Sequence, residues 1–152
     1  MASTLTVDNI VGATSASAVH VPGSVIQVVE GSYNTQTDIS SGSYVDSGLS
    51  VIITPKFSSS KVYVITNLQT FINGVGIIGV NIVRGSTSIL ALQNAAGYQD
   101  NSADVVSMTK LDSPATTSAT TYKVQVNQIA NSGTLRINQN GGSRITVMEI
   151  AQ

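Results

Sequence analysis

The stretch Tyr122–Ile150, YKVQVNQIANSGTLRINQNGGSRITVMEI, decides the fold. Tyr122, Val124 and Val126 alternate with Lys123, Gln125 and Asn127. Side chains on a strand point alternately to opposite faces, so this pattern predicts a strand with one buried and one wet face. A turn is expected at Asn131-Ser132-Gly133. Leu135 and Ile137 then alternate with Arg136 and Asn138. Asn140-Gly141-Gly142 reads as a hairpin, because short turns need positive φ and Asn and Gly tolerate it. In the last segment, Arg144–Ile150, Ile145 and Val147 share one face while Met148 and Ile150 share the other. A strand apolar on both sides is expected to be central and covered twice, by a second layer or by another subunit. The whole stretch reads as three antiparallel strands in a meander.

Working outward, the rest of the chain repeats this material. Apolar or alternating runs fall at Ser24–Glu30, Leu49–Thr54, Lys61–Leu68, Gly76–Arg84, Ser88–Gln93 and Asp104–Leu111. They are separated by the turn signals Pro55, Ser58–Ser60, Asn73-Gly74, Gly85 and Asp112-Ser113-Pro114, and two glycines in Gly76–Arg84 suggest a close backbone approach. Polar loops are expected at Gly31–Ser43, with Tyr33, and at Asn94–Ala103, with Tyr98. β-Branched residues and short spans argue against helices. The sequence therefore predicts an all-β protein, an antiparallel β-sandwich of jelly-roll type.

Residues 1–22, MASTLTVDNIVGATSASAVHVP, differ from the rest. Leu5 and Val7 alternate with polar residues, Ile10 and Val11 follow, and a run of small residues from Gly12 to Ala18 resembles a linker. Such a segment cannot bury enough of itself to offset its ordering entropy. It is expected to be an anchoring arm, with Leu5, Val7, Ile10 and Val11 docking on a partner or neighbouring subunit. Residues 23–152 are the expected knob domain.

Composition narrows the function. The 152 residues suffice for one core without staples, and there is no cysteine. Charged residues are 10% of the chain and net charge is −1, so the clustered Lys and Arg of a nucleic-acid partner are missing. Ser, Thr, Asn and Gln number 21, 16, 11 and 9, and this surface is solvated by hydroxyls and amides. No apolar run approaches the ~20 residues of a membrane span, and no signal peptide is expected.

No motif carries chemistry. His20 is the sole histidine and lies in the arm, where no third group would orient it as a catalytic base. One His and no Cys cannot supply a zinc site. Asp100 and Asp104 are the closest pair of carboxylates, and a calcium site of Asp100, Asn101 and Asp104 matches no defined loop pattern. Gly74-Val75-Gly76 lacks the spacing of a phosphate loop. With no Trp, Tyr33 and Tyr98 are the aromatic candidates for a loop contact to glycan or protein. Glu149, among apolar neighbours, needs a partner if buried, and Arg136 or Arg144 is expected. No catalytic residue, metal or cofactor is expected.

The segments Pro22–Val29 (PGSVIQVV), Tyr44–Leu49 (YVDSGL), Thr54–Lys61 (TPKFSSSK) and Ile145–Ile150 (ITVMEI), with the arm Ser3–Ile10, resemble a group of small bacteriophage virion proteins common in cyanophages and other aquatic phages. The likeness is loose between Leu68 and Ala119. It implies a structural virion protein, described in that group as tail-fibre-like or as an accessory capsid protein. The expectation is a trimeric, non-enzymatic knob that decorates or cements a capsid through its arm, with Met148 and Ile150 at a subunit interface. A short tail fibre or receptor-binding tip on host glycan is the alternative, and a free carbohydrate-binding module is a third. The implied partners are copies of itself and a major capsid protein or tail component.

Overall fold

The computed structural model describes residues 10, 11, 21–98, 101–131, 133–139 and 141–152, with side chains at 98, 130 and 131 outside that set. Ten strands follow in order: β1 (Val25–Tyr33), β2 (Thr37–Ile39), β3 (Val45–Ile53), β4 (Lys61–Asn73), β5 (Gly76–Arg84), β6 (Thr87–Tyr98), β7 (Ser102–Asp112), β8 (Thr120–Asn131), β9 (Thr134–Ile137) and β10 (Ser143–Ile150). One sheet holds β1, β10, β4, β9 and β2, with β7 on the far side of β4; the other runs β3-β8-β5-β6. All pairs are antiparallel.

The register shows that ten strands make eight paths. Along β4, Asn73 faces Thr134 and Thr70 faces Ile137; farther on, Asn67 faces Arg144 and Lys61 faces Ile150. Thus β9 and β10 continue one another along one edge of β4. β1 and β2 likewise form one path, with Tyr33 opposite Ser143 and Thr37 opposite Ile137. Counted so, the sheets are β1/β2, β10/β9, β4, β7 and β3, β8, β5, β6. Two four-stranded sheets in this order are a jelly roll, the architecture expected from sequence.

The same register corrects the expected C-terminal meander. β8 and β9 belong to different sheets, so the chain changes sheet between Asn131 and Thr134. β9 and β10 pair with the same edge of β4 and not with each other, so the expected hairpin does not join them; Asn140 lies outside the described residues. Between the two, Asn138 N–H donates to Gln69 O (3.2 Å) and Gln69 N–H to Ser143 Oγ (3.0 Å). Asn138 takes φ 60° there. Positive-φ residues mark where the backbone deviates; whether the chain reverses or resumes is set by its neighbours.

Both loop expectations shorten. β1 reaches Tyr33 and β2 occupies part of Gly31–Ser43, while β6 and β7 extend to Tyr98 and Ser102.

The core lies between the inner faces. Leu49, Val51, Ile53, Ile78, Val80, Ile82, Tyr122, Val124 and Val126 meet Val62, Val64, Leu68, Ile72, Leu135, Ile137, Ile145 and Val147. The two sheets also meet where Gly31 of β1 lies against the Ser50 carbonyl of β3, an approach with no room for a Cβ. In β5, Gly79 is overlaid by the Asn127 amide and the Tyr44 hydroxyl, the expected close approach.

A polar tie joins the sheets at one end. Arg84 Nη1 donates to Asp112 Oδ1 and Oδ2 (2.9 and 2.8 Å), and the buried Tyr122 hydroxyl donates to Oδ2 (2.7 Å). Burial, reinforced by Asp112, pushes the Tyr122 phenol above the ordinary tyrosine range. Asp112 belongs to one sheet, Arg84 and Tyr122 to the other. Tyr122→Phe removes a hydrogen bond to a buried carboxylate and is expected to lower stability by about 2 kcal/mol, read from urea unfolding; an unchanged midpoint would show that the tie contributes nothing.

Candidate functional site

Among the described residues no group of three His, Cys, Asp or Glu side chains could hold a metal. Asp104 lies in β7 and accepts the Val105 N–H (2.7 Å), Asp38 pairs with Arg136 (3.2 Å), and Asp46 pairs with Lys123 (2.8 Å). Asp100 and His20 lie outside the described residues. A depression of about 140 Å³ is lined by Asp46, Gly48, Leu49, Ser50, Thr121, Lys123 and Val124, where β3 bulges from β8. That is below the range of small-molecule pockets, about 300–1,000 Å³.

The feature that stands out is the outer face of the β1–β10–β4–β7 sheet. Pairing aligns Val28 with Met148, Met148 with Tyr63, and Tyr63 with Leu111. These four form one row across four strands, all on the face opposite the core. The next row toward the strand ends is Val25, Ile150 and Lys61. Val25, Val28 and Leu111 are 54%, 55% and 47% exposed, and Met148, Ile150 and Tyr63 are half-buried. On the other side lies a mostly polar row, Glu30, Thr146, Ile65 and Thr109, then Ser32, Arg144, Asn67 and Ser107. Arg144 approaches Glu30 at 3.9 Å, and Ser107 donates to Asn67 Oδ1 (2.7 Å). A narrow apolar band thus crosses the sheet near one end, bounded by polar side chains.

Of the two coverings expected for the outer face of β10, a second layer within the chain is not found among the described residues. The strand is central, and Ser143, Ile145, Val147 and Glu149 are buried on its inner face. Its outer face, with Met148 and Ile150, is only half-covered within the chain. The strand covered on both sides is β5, buried from Ile78 to Val83. Of the band, sequence reading found Met148 and Ile150 but missed Val25, Val28, Tyr63 and Leu111. KVYVI and SVIQVV show the same two-sided apolar signal, so Tyr63 and Val28 were within reach.

The band lies over a buried carboxylate that fixes this end of the sandwich. Glu149 is fully buried, and its partners are not Arg136 or Arg144. Its Oε1 accepts the N–H groups of Lys56 (2.7 Å) and Phe57 (3.2 Å), and Oε2 accepts from Gln27 Nε2 (2.6 Å). Gln27 Nε2 also donates to Thr54 O (2.8 Å). Backbone donors replace the cation because the β3–β4 connection turns its N–H groups onto the strand end. Arg144 is instead on the outer face, donating to Asn34 (2.9 Å). Burial works to raise the Glu149 pKa, but the Gln27 amide, the Ser60 hydroxyl and the Lys56 and Phe57 N–H groups outweigh it, leaving the carboxyl below the usual glutamate value. Next to this knot, Gly23 N–H donates to Ala151 O and Ala151 N–H to Ser24 O, both 2.9 Å. The arm's root is therefore stitched beside Ile150.

The remaining candidates fall elsewhere. Tyr33 ends β1, half-buried, with its ring over Gly48 (φ 87°) and its hydroxyl 3.2 Å from Thr37 Oγ1. It is a packing residue at a strand end, not a free loop aromatic. Tyr98 ends β6, and its side chain is not among those described. Ile10 and Val11 are 60% and 62% exposed, while Leu5 and Val7 lie outside the described residues.

No protein-family model matches the chain, and no curated protein matches it. Among solved structures it resembles that of the Gx strain of infectious bursal disease virus, at 12% identity over 83% of this chain and 37% of that one, with TM-score 0.47. The T13 particle of the same virus gives 11% identity over 82% and 35%, with TM-score 0.45. A structure described as "CBM4 structure and function" gives 11% over 80% and 92%, with TM-score 0.31. The chain spans little more than a third of the viral chains it matches. None of these likenesses is close enough to carry a function to this chain.

Glu149 generates a pH prediction. A carboxyl whose folded pKa lies below its unfolded value contributes stability above the unfolded value and loses it as pH falls through the folded one. Stability is expected to fall below about pH 4.3, the ordinary glutamate value. Glu149→Gln should cost about 2 kcal/mol at pH 7 and flatten that acid limb. Urea unfolding across pH measures both, and a parallel acid limb in the variant would contradict the assignment.

Proposed function

We propose that this chain is a non-enzymatic virion structural protein, a trimeric surface knob that decorates or cements a capsid and is held in the particle by residues 1–22. The observation that carries this reading is the apolar band of Val25, Val28, Tyr63, Leu111, Met148 and Ile150, exposed on one outer face beside the root of the arm. Exposed apolar patches rimmed by polar groups mark contacts with other macromolecules. Jelly rolls serve as capsid domains, though also as lectins and cupins, so the fold alone decides nothing. A surface solvated by amides and hydroxyls fits a building piece. The likeness of four sequence segments to small phage virion proteins supports the same reading.

In this reading Met148 and Ile150 meet a neighbouring copy, and the arm's Leu5, Val7, Ile10 and Val11 hold the knob among the polypeptides of the particle. The major capsid protein is the proposed underlying partner. A charge at the centre of the band should separate the copies, since a desolvated unpaired charge is costly. Met148→Lys is expected to reduce the sedimentation mass from trimer to monomer while leaving the β-sheet circular dichroism unchanged. An unchanged mass would reject the interface. Deleting residues 1–22 should abolish incorporation into particles, where the intact protein is expected in hundreds of copies. Normal incorporation of the truncated chain would reject the anchor.

A further inference from the structure

We propose that the apolar band is the seat of a neighbouring copy's arm, with the extended segment through Ile10 and Val11 laying one of its faces across Val28, Met148, Tyr63 and Leu111. The inference rests on the reading of the band as a copy-to-copy contact and names what occupies it.

The band's shape selects the occupant. It is four strands long, about 14 Å at the usual interstrand spacing. It is only about two residue rows wide. A second sheet packed face to face would also cover the Glu30–Arg144 pair and the Asn67–Ser107 bond. Burying that exposed charge pair costs desolvation with little return. A single extended segment covers the apolar rows and leaves the polar rows wet. On such a segment, side chains of one face recur every ~6.8 Å, so two or three of them span the band.

The chain contains one segment of that kind. Ile10 and Val11 are the most exposed large apolar side chains of the described residues apart from Ile52, which shares the 60% of Ile10. In the period of an extended segment Val11 falls in register with Leu5 and Val7, while Ile10 falls on the opposite face. Nine residues lie between Val11 and Val21, so ten residue steps join them, a reach of up to ~33–36 Å when extended. The arm leaves the sandwich beside Ile150, at the edge of the band. Within one chain, however, Ile10 and Val11 stay exposed, and the band stays open. Exchange between copies covers both at once. Each copy then offers one arm and one band, a heterologous contact that closes into a ring when the rotation permits.

The test uses full-length chains. Sedimentation mass is measured for the intact protein, for Ile10→Asp/Val11→Asp, and for Val28→Lys, a 55% exposed position. The peptide MASTLTVDNIV, residues 1–11, is then titrated into the arm variant and into Val28→Lys. Both variants should be monomeric, and the peptide should bind the arm variant at least about tenfold more tightly than Val28→Lys. If Val28→Lys dissociates while the arm variant keeps its mass, copies meet through the band without the arm, and this inference fails while the interface stands. If neither dissociates, the interface reading fails as well. A monomeric intact protein whose arm variant alone binds the peptide would place the arm on its own band and overturn exchange.

Discussion

Glu149 is the constraint on which this end of the molecule depends. It is a fully buried carboxylate with no ion-pair partner among the described residues, held by two backbone N–H groups and one amide. A buried charge is tolerated only when its acceptor sites are filled. Filling them requires β1 to supply Gln27, β10 to supply Glu149 itself and the β3–β4 connection to turn Lys56 and Phe57 inward. Three segments distant in sequence are thereby fixed together. They are PGSVIQVV, TPKFSSSK and ITVMEI, and each contributes to one carboxylate's shell.

From that knot the outer surface follows. With Glu149 turned inward, strict alternation puts Met148 and Ile150 outward. Pairing then aligns them with Val28 and Tyr63, and Leu111 completes the row. The arm's root is pinned to Ala151, next to the same residues. One sheet end thus combines a locked interior, an apolar exterior and the entry of the chain into β1. The same end is tied again toward the β7 edge, where Asp112 lies in one cross-strand row with Val62 and Glu149 and a cation, Arg84, does meet the carboxylate beside Tyr122.

The sequence made the class of fold legible, and the reason is periodicity. Alternation in KVYVITNL, YKVQV and SRITVMEI is a local signal that survives in the structure as inner and outer faces. Pairing was not legible. Asn140-Gly141-Gly142 has hairpin chemistry, yet the chain resumes along β4, because β4 is long enough to pair with both β9 and β10. The partner of Glu149 was also out of reach. Opposite charge is readable from sequence, whereas a loop that presents N–H groups is a product of the fold. A third of the apolar band was readable from Met148 and Ile150; the whole emerged only when register placed four strands side by side.

The central claim is that the outer face of this sheet is covered when the protein is at work. Two methionines allow it to be read in one experiment, since Met108 is buried in the core and Met148 is in the band. Oxidative footprinting of the assembled protein, repeated after dilution, compares their rates of sulfoxide formation. The account predicts that Met148 is protected nearly as well as Met108 in the assembly and reacts much faster once diluted. Rapid oxidation of Met148 at every concentration would contradict it.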